Sequence, residues 1–254
     1  MRPNRLREIW SGGKAAANCW LTLPGGLAAE MLAHQGWDSL TVDLQHGHAD
    51  FNAMCAMFTA ISTTPTVPLV RVPWNDPGDV MRALDAGAYG VICPMIETVE
   101  DANRFVGACR YAPAGYRSVG PKRGLLYGGP DYIERANDTV LTIAQIETVT
   151  GLDNVDAIAG VAGLDMLYVG PADLGIALGR PPRQNSDDAV VMAAVDKILA
   201  AAKKAGLRAG MHCAGADYAL RMFARGFDLV TVISDEGLLA VGKSVREQVT
   251  AKIR

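Results

Sequence analysis

No two cysteines in this 254-residue chain stand in a C-x-x-C spacing; the five present, Cys19, Cys55, Cys93, Cys109 and Cys213, are scattered and odd in number. That argues against a disulfide framework and a thiolate zinc site. A surplus of one charge is missing too, since 24 Lys and Arg face 27 Asp and Glu for a net −3. The balance offers no broad electrostatic case for nucleic acid or an anionic membrane as partner. No apolar run approaches bilayer length, and the opening MRPNRLREIWSGGK lacks an apolar signal-peptide core. The expectation is a soluble, cytoplasmic protein. No GxGxxG follows the first predicted strand, which weakens a dinucleotide-binding reading. Among the lysines, none ends a predicted strand, and only Lys122, in a long loop, is left as a candidate for Schiff-base chemistry.

What is present is a weak internal repeat: GWDSLTV at Gly36, GAYGVIC at Gly87, GLDMLYV at Gly163 and GFDLVTV at Gly226. In each, Gly closes a helical stretch and a short apolar run follows, the pattern of a parallel strand covered on both faces. NCWLTL at Asn18, VPLVR at Val67, LTIAQIE at Leu141 and LRAGMHC at Leu207 supply four more strands. Eight strands alternating with helical stretches predict a single (β/α)8 TIM barrel over residues 1–254, with a doubly wound sheet as the alternative. No linker or low-complexity tract divides the chain. The Gly/Pro-rich stretch YAPAGYRSVGPKRGLLYGGP, Tyr111 to Pro130, is too long for a simple connection and reads as a lid or an oligomer contact.

In such a barrel the carboxyl ends of the strands form the catalytic face. Five predicted strands carry a polar group there: Asp43-Leu44-Gln45-His46, Arg71, Gln145-Ile146-Glu147, Asp173 after MLYVGPADLG, and His212. Glu147 and Asp173, from adjacent strands, either hold one hard divalent cation (Mg2+, Mn2+ or Co2+) or cap the helices that follow them. Gly170 and Pro171 make a sharp turn whose free N–H groups suit a substrate carboxylate, or are a routine strand-to-helix turn. Arg71 either stabilises a developing enolate oxygen or sits in an ion pair in the barrel mouth. His46 can move a proton near neutral pH, or simply bond to backbone. His48 and His34 carry no strong case.

VDLQH, VRVPWNDP, LDAGAYGVICPM, YAPAGYRSVG, AQIET and LYVGPADL, in this order, resemble the HpcH/HpaI aldolases, and the likeness spans nearly the whole chain. The resemblance implies a barrel with an exchanged C-terminal helix, assembled as a homohexamer, and a class II aldolase cleaving a 4-hydroxy-2-oxo acid to pyruvate or hydroxypyruvate plus an aldehyde through a metal-stabilised enolate. It implies Glu147 and Asp173 as metal ligands, Arg71 at the keto oxygen, His46 as base and Asp85 as its acidic partner. Gly170, Pro171 and Ala172 would receive the carboxylate, with Gln145, Trp20 and His212 shaping the pocket. Two positions depart from the family's pattern: Gln45 replaces an acid beside His46, and His212 replaces an apolar side chain. The rival readings are a citrate-lyase-like enzyme for acyl-CoA thioesters, using Arg117, Lys122 and Arg123 as a basic groove, and a non-catalytic barrel. The same three cations could instead bind a distal carboxylate or phosphate of the aldehyde, within the chain or across a subunit interface, or form a solvated basic loop.

Overall fold

A computed structural model describes residues 1–253. Eight parallel strands close into a barrel in chain order: β1 (Ala16–Leu21), β2 (Ser39–Asp43), β3 (Val67–Arg71), β4 (Gly90–Cys93), β5 (Leu141–Ile146), β6 (Met166–Val169), β7 (Arg208–His212) and β8 (Leu229–Ser234). Each strand read from the sequence is present, and the doubly wound alternative falls because β8 pairs back onto β1. Burial explains their composition. Every residue of β2, β4, β5 and β6 is buried, because helices cover the outside while side chains fill the inside.

The helices form the outer layer, from α1 (Arg5–Ser11), α2 (Gly26–Ala33), α3 (Phe51–Ile61), α4 (Pro77–Asp85) and α5 (Val99–Cys109) onward. After them come α6 (Lys122–Gly128), α7 (Tyr132–Thr139), α8 (Val149–Asp153), α9 (Val155–Ala159), α10 (Pro171–Ala177), α11 (Ala189–Lys204), α12 (Ala216–Arg225) and α13 (Asp235–Ile253). Local chemistry starts them. Asp50 caps α3, Asp76 with Pro77 opens α4, and Thr98 with Asp101 forms a capping box on α5. Helix α13 differs from the rest. Asp235 is its one buried residue, and Leu239, Val245 and Val249 are exposed along it.

The two barrel ends have different jobs. At the amino end, Asp165 accepts hydrogen bonds from Arg110 at 2.8 Å, Arg7 at 2.7 Å and the Thr142 amide at 2.8 Å. The 111–130 stretch lies at this end as well. Arg117 is buried in an ion pair with Asp85 at 2.8 Å and under the Tyr111 ring, and Arg123 donates to the Ala86 carbonyl at 2.8 Å. Part of the stretch is helix α6, whose Gly128 carbonyl accepts from the Arg2 amide. It is therefore no lid over this chain's catalytic mouth, and its arginines are committed to holding the fold.

Removing one partner of a buried ion pair leaves the other charge uncompensated. Asp165→Leu is expected to cost about 3 kcal/mol of stability by this mechanism, measurable as a lowered urea midpoint; an unchanged midpoint would show that the cluster contributes nothing net.

Candidate active site

The carboxyl ends of the strands surround one pocket lined by Trp20, His46, Arg71, Gln145, Gly170, Pro171, Ala172, Asp173 and His212. All nine were expected from the sequence. Glu147 lies directly beneath, 2 % exposed, with its carboxylate accepting from Gln145 Nε2 at 2.5 Å and from the Met95 amide at 3.0 Å. Met95 holds a left-handed backbone (φ 55°), a costly conformation for a residue with a side chain, and its N–H points at that carboxylate. Gly170 has its own reason: a Cβ there would lie 2.3 Å from Glu147 Oε2. Neither acid is a helix cap. Thr148 caps α8, and Asp173 sits within the first turn of α10 after Gly170.

The organising residue was not singled out from the sequence. Asp43, 1 % exposed, ends β2 in register with Arg71 at the end of β3. Arg71 donates to it twice, from Nε at 2.9 Å and Nη2 at 2.6 Å, a bidentate pair. Trp20 Nε1 donates at 3.2 Å, the Gln45 amide at 3.0 Å and the His46 amide at 3.4 Å. Burial alone would raise the Asp43 pKa, but these donors and the Arg71 charge hold it below the usual carboxylate value. The guanidinium also lies 4.9 Å over the Trp20 ring, and Arg71 Nη1 has no hydrogen-bond partner among the described residues. Strand-end register was the signal that could have found Asp43. Thr22, Tyr168, Gln184, Ser234 and Glu236 complete the lining and carried no signal in the sequence reading.

The fold separates one expected pair. Helix α4 runs from the carboxyl end of β3 back toward the amino end, so Asp85, at its last turn, meets Arg117 rather than His46. Within one chain Asp85 is thus not the acid beside His46, and the acid closest in that loop is Asp43. Within one chain the basic groove lies away from the pocket for the same reason, since Arg117, Lys122 and Arg123 lie with Asp85 at the far end. His48 is an exposed loop residue whose amide donates to the Thr22 carbonyl at 2.7 Å.

Electrostatics divides the pocket. Burial pushes the Glu147 pKa up, and the nearby Asp173 charge adds to the rise against the opposing pull of Gln145 and Met95. His212 packs edge-on to Trp20 at 4.8 Å. Burial first, and the Arg71 charge second, lower its pKa to about 4, so its imidazole is neutral at neutral pH. The buried Gln145 Oε1 has no hydrogen-bond partner, an acceptor left for a ligand. Among the described residues no three His, Cys, Asp or Glu side chains converge on one point, so a cation here would rest on Glu147 and Asp173 alone and take its other ligands from substrate and water.

Comparison with known proteins decides the family. The sequence profile of HpcH/HpaI aldolase/citrate lyase matches residues 17–240. The chain belongs to this family. It is 40 % identical over 251 residues to a hydroxypyruvate/pyruvate aldolase of Rhizorhabdus wittichii, covering 99 % of both chains. It is 35 % identical over 238 residues to a 5-keto-4-deoxy-D-glucarate aldolase of Klebsiella pneumoniae, covering 93 % of this chain and 92 % of that one. A crystal structure of a family member from Burkholderia cenocepacia superposes with a TM-score of 0.88 at 34 % identity, over 96 % of this chain and 98 % of the other. As a member with such relatives, the chain is an aldolase, a carbon–carbon lyase.

The His212 shift has a sign. An imidazole whose folded pKa is depressed contributes stability that is full above the unfolded value of 6.5 and is lost as pH falls toward about 4. His212→Gln should therefore flatten the pH dependence of thermal stability between those values; a curve parallel to wild type would show that His212 titrates normally.

Proposed function

We propose that the chain is a divalent-metal-dependent aldolase that reversibly cleaves a 4-hydroxy-2-oxo acid to pyruvate or hydroxypyruvate and an aldehyde. The observation that carries this reading is the pair Glu147 and Asp173 after adjacent strands: Asp173 lines the pocket with Arg71 and with Gln145, whose Oε1 is unsatisfied, and buried Glu147 is bonded to Gln145 and feels the Asp173 charge. The donor set fits Mg2+, Mn2+ or Co2+: hard oxygen ligands, two charges to balance the cation, and open positions for a chelating substrate. When bound, the cation supplies Lewis-acid stabilisation of charge on the 2-oxo acid's keto oxygen.

The chain's own residues do the remainder. Gly170, Pro171 and Ala172 begin α10 and line the pocket with Asp173; the free first-turn amides of Ala172 and Asp173 receive the substrate carboxylate. Arg71, oriented by Asp43, offers its free Nη1 to the keto oxygen as negative charge grows there. In cleavage, His46 takes the proton from the 4-hydroxyl, directly or through one water; the C3–C4 bond breaks, its electron pair passes into the enolate, and the aldehyde leaves. His46, directly or through the same water, then returns that proton to C3 and completes the 2-oxo acid, the step that exchange at the pyruvate methyl group reads. Trp20, flanked by Tyr168 and His212, walls the donor side and excludes water.

The proposal extends to assembly. The exposed apolar residues of α13 have no surface of their own barrel to cover them, which supports an exchanged helix packed on a second copy and a homohexamer. A native mass of six chains is expected; a monomer at micromolar concentration would overturn it.

Chelator treatment is expected to lower retro-aldol cleavage by at least about a hundredfold, restored by added Mn2+. His46→Ala should slow solvent deuterium exchange into the pyruvate methyl group by roughly a hundredfold while retaining Mn2+ binding. Equal rates with and without chelator would refute the metal requirement, and unchanged exchange would remove His46 from its role.

A further inference from the structure

The aldehyde has as yet no assigned place in the pocket. Gly170 to Asp173, Gln145 and Arg71 face the 2-oxo acid, so the aldehyde is left with the rim: exposed His46, Gln184 and Glu236, and half-buried Thr22 and Ser234. This rim has no lysine or arginine. Arg71 is the one cation lining the pocket, and Asp43 engages it from two sides. Glu236 has no ion-pair partner among the described residues.

Glu236 is also held in place. The preceding Asp235, 8 % exposed, accepts from the Thr22 amide at 3.0 Å, the Thr22 hydroxyl at 2.7 Å, the Leu23 amide at 2.9 Å and the Glu236 amide at 2.9 Å. Ser234 Oγ accepts from the Gly237 amide at 3.1 Å. These bonds dock the first turn of α13 onto the segment after β1 and fix the backbone of Glu236 at the mouth. Because the Thr22 hydroxyl proton is spent on Asp235, its oxygen faces a ligand as an acceptor, as does the Glu236 carboxylate.

We propose that Glu236 determines acceptor specificity: the rim selects neutral, hydroxylated aldehydes, whose hydroxyls donate to Glu236 and Thr22, and repels aldehydes bearing a carboxylate or phosphate. The inference rests on the aldolase reading and names its acceptor class. An anionic aldehyde would bring a second negative charge beside Glu236 with no lysine or arginine of the same chain's rim to answer it, and like charges so placed work against binding. Within one chain the cations that the sequence offered for a distal anion, Arg117, Lys122 and Arg123, lie at the other end of the barrel, where Arg117 and Arg123 are already bonded.

The test compares kcat/KM for pyruvate addition to glyceraldehyde and to glyceraldehyde 3-phosphate in wild type, Glu236→Gln and Glu236→Lys. Wild type is expected to prefer the neutral acceptor. The anionic-to-neutral ratio should rise roughly fivefold in Glu236→Gln and further in Glu236→Lys, with the differences shrinking at high salt. A merely structural role for Glu236 would not order the variants by charge or respond to salt. Pyruvate deuterium exchange by wild type, measured without aldehyde, separates the two levels. Exchange present with an unchanged ratio in both variants would overturn the role of Glu236 alone, whereas absence of exchange in metal-reconstituted wild type would refute the aldolase reading and this inference with it.

Discussion

Two opposite charges at the ends of neighbouring strands, Asp43 and Arg71, hold the catalytic face together. Taking a carboxylate to 1 % exposure carries a desolvation penalty of several kcal/mol, which an ion pair offsets only with good geometry and further donors. Here the geometry is bidentate, and Trp20 and two backbone amides add to it. The result is less a gain in stability than a set of fixed orientations. Arg71 cannot swing, so its remaining N–H groups aim into the pocket. Trp20 is tied at its indole nitrogen and overlain by the guanidinium. The loop carrying His46 is pinned where it leaves β2, and it can turn there because residue 47 is glycine: a Cβ would lie 2.2 Å from the Asp43 carbonyl oxygen.

Below this layer the barrel interior stays polar in a controlled way. Asn18 donates to Thr231 and accepts from Ser39 and Thr41, while the Tyr168 hydroxyl pairs with Thr231 at 2.7 Å. Every side-chain oxygen of this cluster has a partner, so burial costs little, and the Tyr168 ring is held as a stable floor beside Trp20. Gly210 allows that placement, since a Cβ would lie 2.5 Å from the tyrosine ring. Rigidity at the floor and at the amino-end cluster around Asp165 lets the opposite face carry unsatisfied groups: Gln145 Oε1, the destabilised Glu147 carboxylate and the strained Met95 backbone.

Much of this was legible in the sequence because it follows from one-dimensional pattern. A glycine followed by an apolar run marks a capped helix and a buried strand, and a polar residue ending such a run in a barrel faces the active site. That logic reached Arg71, Gln145, Glu147, Asp173 and His212. It named Asp43 at the end of β2 but gave it no role, because an acid there reads like the start of a polar loop until strand register sets it against Arg71. Asp85 lies away from His46 of its own chain for a directional reason: a helix returns its last turn to the opposite end of the barrel, where Asp85 pairs with Arg117. Glu236 was invisible because its position depends on bonds between the first turn of α13 and the segment after β1, more than two hundred residues apart in the chain.

The Gly of VGPADL shows how a motif acquires its physical reason from another strand. Read alone, Gly170 and Pro171 look like a turn opening a helix, and Pro171 does occupy the first helical position. Its backbone (φ −95°, ψ 88°) makes no demand for glycine. The demand comes from β5, whose Glu147 and Gln145 side chains fill the space a Cβ would take, at 2.3 and 2.9 Å. AQIET and VGPADL are therefore one device: the first motif supplies a buried carboxylate and its amide partner, and the second leaves room for them while bringing Asp173 near enough for its charge to raise the Glu147 pKa. A substitution at Gly170 would disturb Glu147 before it disturbed the turn, which places Gly170 with the chemistry of the site as much as with the folding of the chain.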